Sequence, residues 1–322
     1  MNQQPFLLGV NFPWVHYAQD FGTTPHGHRG VSVPENRAAV AHEFARMRDC
    51  GAKVVRWFLF ADGRGGFIAN NGIPQRADDY LFTDVAVALE LARKFELQLC
   101  FSLLDYLWLQ EHSGGPPQHP NGQVMQFAAG REAFLHRVLI PMLREFRLHP
   151  ALFAWEIANE PEWAIREFHR GPKAKLHFAD FRAFAEEVAE AVREFAGVPV
   201  TLGSARLDWV RAWTELGLDF YQAHYYPPEG RDPNADLTAQ LAALHSLDKP
   251  LWLGELPARD DRCAGYVLES TLTRCMDIGL MGAAVWRWTT PEATGADVHL
   301  GAIHPETLSA WNSASRAKSA SV

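Results

Sequence analysis

Two short apolar runs in this chain each end in a glutamate and are stopped by a proline. Leu152 to Ala158 reads as a buried strand that delivers Asn159 and Glu160 at its end, where Pro161 cannot extend the ladder. Leu251-Trp252-Leu253-Gly254-Glu255-Leu256-Pro257 repeats the arrangement with Glu255. Two glutamates on the same ends of two parallel strands can face each other across a pocket. One can then act as proton donor and the other as nucleophile at a glycosidic bond. A surface charge at a strand end explains either glutamate alone, but the shared punctuation argues for a pair. Arg56 lies inside a third apolar run, Ala52 to Phe60. A charge there is costly unless paired, so Arg56 reads both as a structural ion pair and as a holder of a catalytic carboxylate.

The elements that position these residues follow from the apolar pattern. Strands are expected at Phe6–Phe12, Ala52–Phe60, Leu97–Leu104, Leu152–Ala158, Val198–Gly203, Leu218–His224, Leu251–Leu256 and Gly282–Trp288. Helical spacing between them predicts helices at about 34–48, 78–95, 131–148, 173–195, 208–216, 233–247 and 263–278, with a last one from Pro305. Asp62 to Ile73 reads as a plain surface loop, since its glycines lack the spacing of a phosphate loop. Tyr106 to Gly130, with Trp108, His112 and His119, is a long irregular segment of the functional kind. The alternation predicts one α/β domain over residues 1–322, a single (β/α)8 barrel. A doubly wound sheet is the alternative, but no Gly-rich fingerprint follows the first strand. In the barrel Asn11, Arg56, Asp105, Asn159, Glu160, Ser204, His224, Tyr226, Glu255 and Trp286 converge on one mouth, and Trp14 stands at the exit of the first strand as a further candidate for the substrate.

Composition bounds the partners. The chain has 322 residues, 48% hydrophobic, with a formal charge of −8, which does not favour nucleic acid or a membrane surface. No apolar run is long enough to span a bilayer. Met1 to Pro5 has no basic stretch and no cleavage site, so a cytoplasmic location is expected. Eleven Trp and 20 Phe divide between core and sugar-stacking roles that composition cannot separate. Cys50, Cys100, Cys263 and Cys275 lack zinc-ligand spacing and read as reduced thiols packed as small hydrophobes. His26-Gly27-His28 has a metal-like spacing, yet lies too far into a loop to sit at a barrel strand end, so no metal is expected.

The motifs resemble those of the clan A retaining glycoside hydrolases, most closely family 5, the cellulase and mannanase family. Asn159-Glu160-Pro161 is similar to the family's Asn-Glu-Pro, and Glu255 stands where the nucleophile stands. Val55-Arg56 is similar to the strand-two arginine, and His224-Tyr225-Tyr226 to the strand-six His-x-Tyr. Trp286 matches the strand-eight tryptophan that floors the first subsite, with Trp288 a possible substitute. The resemblance implies Glu160 as acid/base, Glu255 as nucleophile and Asn159 on the 2-hydroxyl, with no cofactor and a carbohydrate as partner. The family's strand-three histidine is missing, and Leu104-Asp105 holds its place. Asp105 could take over a sugar hydroxyl, or His112 could reach in from the loop. Arg56 and the Tyr226 hydroxyl are expected to favour ionised Glu255, while burial and the charge of Glu255 keep a proton on Glu160. An exo-acting enzyme of β-mannosidase or β-glucosidase type is the favoured reading, because the long loops after strands one and three could close one end of a cleft. An endo-β-1,4-mannanase or β-glucanase is the alternative within the same chemistry. A non-catalytic carbohydrate-binding barrel is the alternative of another class.

Overall fold

The computed structural model describes residues 5–24, 27–70, 73–110, 127–288 and 302–319. Eight parallel strands close into a barrel in sequence order: β1 Leu7–Asn11, β2 Val54–Phe58, β3 Gln98–Asp105, β4 Leu152–Asn159, β5 Val200–Ser204, β6 Tyr221–His224, β7 Leu251–Pro257 and β8 Gly282–Trp286. β1 pairs with both β2 and β8, which closes the ring. The expected (β/α)8 barrel is therefore the fold of the described residues.

The helices cover the barrel with the faces their spacing predicts. Pro34–Asp49 (α1) starts with proline at its first turn and ends with Arg46 and Arg48 near its negative end. Phe178–Phe195 buries Phe181, Phe184, Ala185, Val188, Ala189 and Val192, a stripe at three- and four-residue steps. This helix starts five residues later than expected, because Leu176 is engaged in a bridge with Ile165. The predicted 131–148 helix is Ala128–Phe134 and Ile140–Glu145 joined through a π-helical turn, Leu135–Leu139. Leu207–Trp213 is 3-10 rather than α. The Gly-rich connection after β2 is no plain loop: Phe67–Asn70 and Ile73–Ala77 pair as an antiparallel hairpin. All four cysteines are buried free thiols.

Inside the barrel, Val54, Cys100, Ala154, Phe220, Trp252 and Ala284 form a separate apolar cluster. Side chains alternate along a strand, so Arg56 and Glu156, two residues on from Val54 and Ala154, share the inward face. Alternation alone would turn Glu255 outward with Leu253, which packs in the outer core. The register breaks there: Ala223 pairs with Leu253, but His224 pairs with Glu255. This bulge resets the phase and aims Glu255 into the barrel. A Cβ at Gly254 would come within 2.6 Å of the Gln222 amide, so the bulge needs glycine at that close approach. Between β4 and β5 the register breaks again between Glu156 and Asn159, so that Ile157 and Ala158 pack outside and Asn159 turns in.

Candidate active site

Register brings the candidate residues together before any side chain is considered. Asn11 pairs with Arg56, Asp105 with Asn159, and His224 with Glu255. Arg56 is at the centre and fully buried. Its Nε and Nη2 donate to the two carboxylate oxygens of Glu156, both at 2.6 Å. Its Nη1 donates to Asn11 Oδ1 at 2.9 Å and Glu255 Oε1 at 2.6 Å, and Nη2 also donates to Asn159 Oδ1 at 2.6 Å. The guanidinium fork thereby fixes one carboxylate bidentately and orients another. Glu156, which motif reading passed over, also accepts from Ser102 Oγ and Gln222 Nε2. Its signal was available in principle, because a buried arginine in a strand demands a buried acid, but no spacing says which. Gly203 makes room for this pair: a Cβ there would lie 2.5 Å from Glu156 Oε1.

Glu255 has both oxygens occupied, Oε1 by Arg56 and Oε2 by the Tyr226 hydroxyl at 2.6 Å. Burial raises its pKa, and the charge of Glu160 adds to the rise. His224, Arg56 and the Tyr226 hydrogen bond pull it down. Arg56 and Tyr226 act in the expected direction, then, but burial outweighs them. Glu160 follows β4 with φ of +48°, a left-handed conformation that non-glycine residues seldom adopt. Its backbone N–H donates to the Gly203 carbonyl at 2.7 Å, and the 3-10 turn Pro161–Trp163 continues from it. Its Oε1 lies 2.7 Å from His224 Nδ1, and its Oε2 accepts from Trp163 Nε1 at 2.8 Å. Burial lowers the His224 pKa to about 4, so the ring is neutral at ordinary pH. A neutral imidazole can donate through Nδ1 to ionised Glu160, or accept there from protonated Glu160. One oxygen from each glutamate and a His224 nitrogen lie within 4.8 Å of one another. So close an approach of the nearest oxygens suits a retaining pair, whose carboxyl groups stand about 5–5.5 Å apart, better than an inverting pair at about 6.5–9.5 Å. The same three groups form the one potential metal cluster among the described residues. Because Arg56 and Tyr226 already occupy both Glu255 oxygens, the arrangement suits a shared proton better than a cation.

The structure separates the remaining candidates. Trp14, Phe58, Asp105, Asn159, His224, Tyr226 and Trp286 line a cleft of about 900 Å³ with the two glutamates. Trp14 is carried on a turn pinned by buried Asp20, which accepts from the backbone N–H groups of Val15 and His16 and from Trp57 Nε1. Asn11 lies beneath the cleft, holding Arg56 and donating to the Gly254 carbonyl at 2.9 Å. Asp105 Oδ2 accepts from Asn159 Nδ2 at 2.7 Å, and burial raises its pKa to about 7. Ser204 leaves the mouth: its hydroxyl donates to buried Glu162. Trp108 packs in the core against Phe60, Phe67 and Phe134, so it is not a substrate residue. Nor does Trp288 replace Trp286. β8 ends at Trp286, and Trp288 turns outward to donate to Glu43 of α1 with Arg46 over its ring. His112 and His26 lie outside the described residues. His28 Nε2 faces the carboxylate of Asp84, which also accepts from the backbone N–H groups of Gly22 and Ser32, a loop clasp rather than a metal site. Sequence reasoning missed Glu156, Glu162 and Trp163 altogether.

No family model matches the chain. A mannan endo-1,4-beta-mannosidase of Mytilus edulis is 24% identical over 326 aligned positions, covering 90% of this chain and 84% of the relative. The X-ray structure of the blue mussel beta-mannanase aligns with a TM-score of 0.74 at 22% identity, over 94% of this chain and 90% of that one. The endo-1,4-beta-mannanase of Eisenia fetida aligns with a TM-score of 0.75 at 20% identity, over 96% and 90%. These likenesses bear out the barrel and the resemblance to the family 5-like glycoside hydrolases of clan A.

Proposed function

We propose that this family 5-like glycoside hydrolase is a retaining endo-β-1,4-mannanase, with Glu255 as nucleophile and Glu160 as acid/base. One observation carries the mechanism: Glu255 is held by Arg56 and Tyr226, while an oxygen of Glu160 lies within 4.8 Å on the opposite wall. Glu160 donates its proton to the glycosidic oxygen as Glu255 attacks the anomeric carbon, and a covalent glycosyl ester forms. Glu160, now ionised, takes a proton from the incoming water, and attack on the ester releases a sugar of the starting configuration. Neutral His224 suits both states of Glu160, accepting from the acid and donating to the base. Asn159, oriented by Arg56 and Asp105, presents its amide to the 2-hydroxyl of the sugar undergoing attack.

The relatives' names favour endo action over the exo action read from the loops, and mannan over glucan. A cleft of about 900 Å³ has room for more than one sugar ring. The test is product analysis on linear β-1,4-mannan and on cellulose oligomers. An endo-mannanase yields a spread of mannobiose, mannotriose and longer fragments early in the reaction, with β-anomers first by proton NMR. Release of mannose alone from chain ends would restore the exo reading, and turnover of cello-oligomers instead would transfer the activity to glucan.

A further inference from the structure

The carboxyl of Glu160 has a partner besides His224, one that the assigned roles do not use. Trp163 closes the turn that begins at Glu160, and its indole N–H donates to Glu160 Oε2 at 2.8 Å. The ring is half-buried and lines the cleft. Its position is fixed from several sides. Trp209 meets it edge-on at 5.4 Å and His169 at 5.2 Å, and Gln110 Nε2 donates to its carbonyl at 3.2 Å. Arg206 lies over the Trp209 ring at 5.0 Å and lines the same side of the cleft. Between the two residues Glu162 is buried, accepting from Ser204 Oγ, Trp213 Nε1 and the Ala205 N–H, which ties the turn to the exit of β5.

We propose that Trp163 is a positioning residue for the acid/base and a wall of the leaving-group subsite at once. An N–H donor favours the ionised carboxylate, so Trp163 holds the proton affinity of Glu160 down. It works against Glu255 on β7 and Asp105 on β3, whose charges raise that affinity. It works with Arg56 on β2, which balances Glu255, while neutral His224 on β6 can pair with either state of Glu160. Because the donor is on a ring packed against the cleft, the same side chain that a leaving sugar touches also aims the carboxyl that must protonate it. This rests on the reading of Glu160 as acid/base.

The test is Trp163→Phe, which keeps a ring and lacks the donor, with Trp163→Leu repeating the loss if the first variant is unstable. The basic limb of kcat/KM for mannotriose should move up by about one pH unit. At the optimum kcat/KM for mannotriose should fall about tenfold, and that for dinitrophenyl β-mannoside, which needs little protonation, should change less than about threefold. Thermal melts accompany each measurement. Equal losses on both substrates with an unmoved basic limb would assign Trp163 to packing alone and overturn the inference. Glu160→Ala is the control: if it keeps the wild-type basic limb, the acid/base assignment fails rather than the role of Trp163.

Discussion

Arg56→Lys is the sharpest test of how the site is held. The guanidinium uses five N–H···O bonds, to both oxygens of Glu156 and to Asn11, Asn159 and Glu255, all between 2.6 and 2.9 Å. An ammonium offers three donors, so at least two buried acceptors lose their partner. At about 1.5–3 kcal/mol for each charged hydrogen bond, the loss is about 3–6 kcal/mol. With about 2–4 °C for each kcal/mol, the melting temperature should fall by roughly 6 °C or more. Where Glu255 is among the acceptors that lose their donor, its pKa, already raised by burial, rises further. In the proposed mechanism Glu255 attacks in its ionised form, so the acidic limb of kcat/KM should move to higher pH. Arg56→Ala is the poorer experiment, because an uncompensated buried Glu156 costs about 3–5 kcal/mol and could unfold the chain outright. Calorimetry and pH–rate profiles on Arg56→Lys decide the matter. A melting temperature within about 2 °C of wild type, together with an unmoved acidic limb, would refute the idea that this side chain organises the site.

Glu255→Ala should abolish turnover, and added azide should restore an α-configured glycosyl azide. A β-azide by NMR would deny Glu255 the role of nucleophile. Glu160→Ala should spare the first step for dinitrophenyl glycosides, cripple it for mannotriose and accumulate an adduct on the Glu255 peptide visible by mass spectrometry. Equal loss on both substrates without an adduct would count against Glu160. Asp105 binds its proton more tightly in the folded chain, with a pKa raised from 3.8 to about 7. Its contribution to stability is therefore lost progressively as pH rises between those values. Asp105→Asn should gain in melting temperature relative to wild type from pH 4 to pH 8, and a pH-independent difference would contradict the shift.

Strand order and the two glutamates were legible because doubly covered parallel strands are unbroken apolar runs and prolines mark their ends. Arg56 was legible for a related reason, as a charge where only apolar residues are expected. What the sequence concealed is mostly phase. Glu255 reaches the interior only through the bulge at Gly254, which no period-two count reveals. Trp286 and Trp288 stand two apart and read as one face, but β8 ends at Trp286 and the alternation ends with it. Trp108 and Trp163 each lie just beyond a strand, yet one is core and the other donates to the Glu160 carboxylate. Composition has no means of telling them apart. Asp105 was rightly placed in the mouth, while its bond to Asn159 needed the register of β3 on β4.

The atoms that Arg56 joins are far apart along the chain. Asn11 is 45 positions away, Glu156 and Asn159 are 100 and 103, and Glu255 is 199. No local segment can assemble this site, and a fragment ending before β7 would lack Glu255. Chemical competence therefore arrives only with ring closure, after long-range pairing has paid its loop-closure entropy. During refolding, helical signal should recover ahead of activity, and the interval between the two reports on the completion of the barrel. A partly made chain is in this sense a safe one, because it carries the parts of a hydrolase without their alignment.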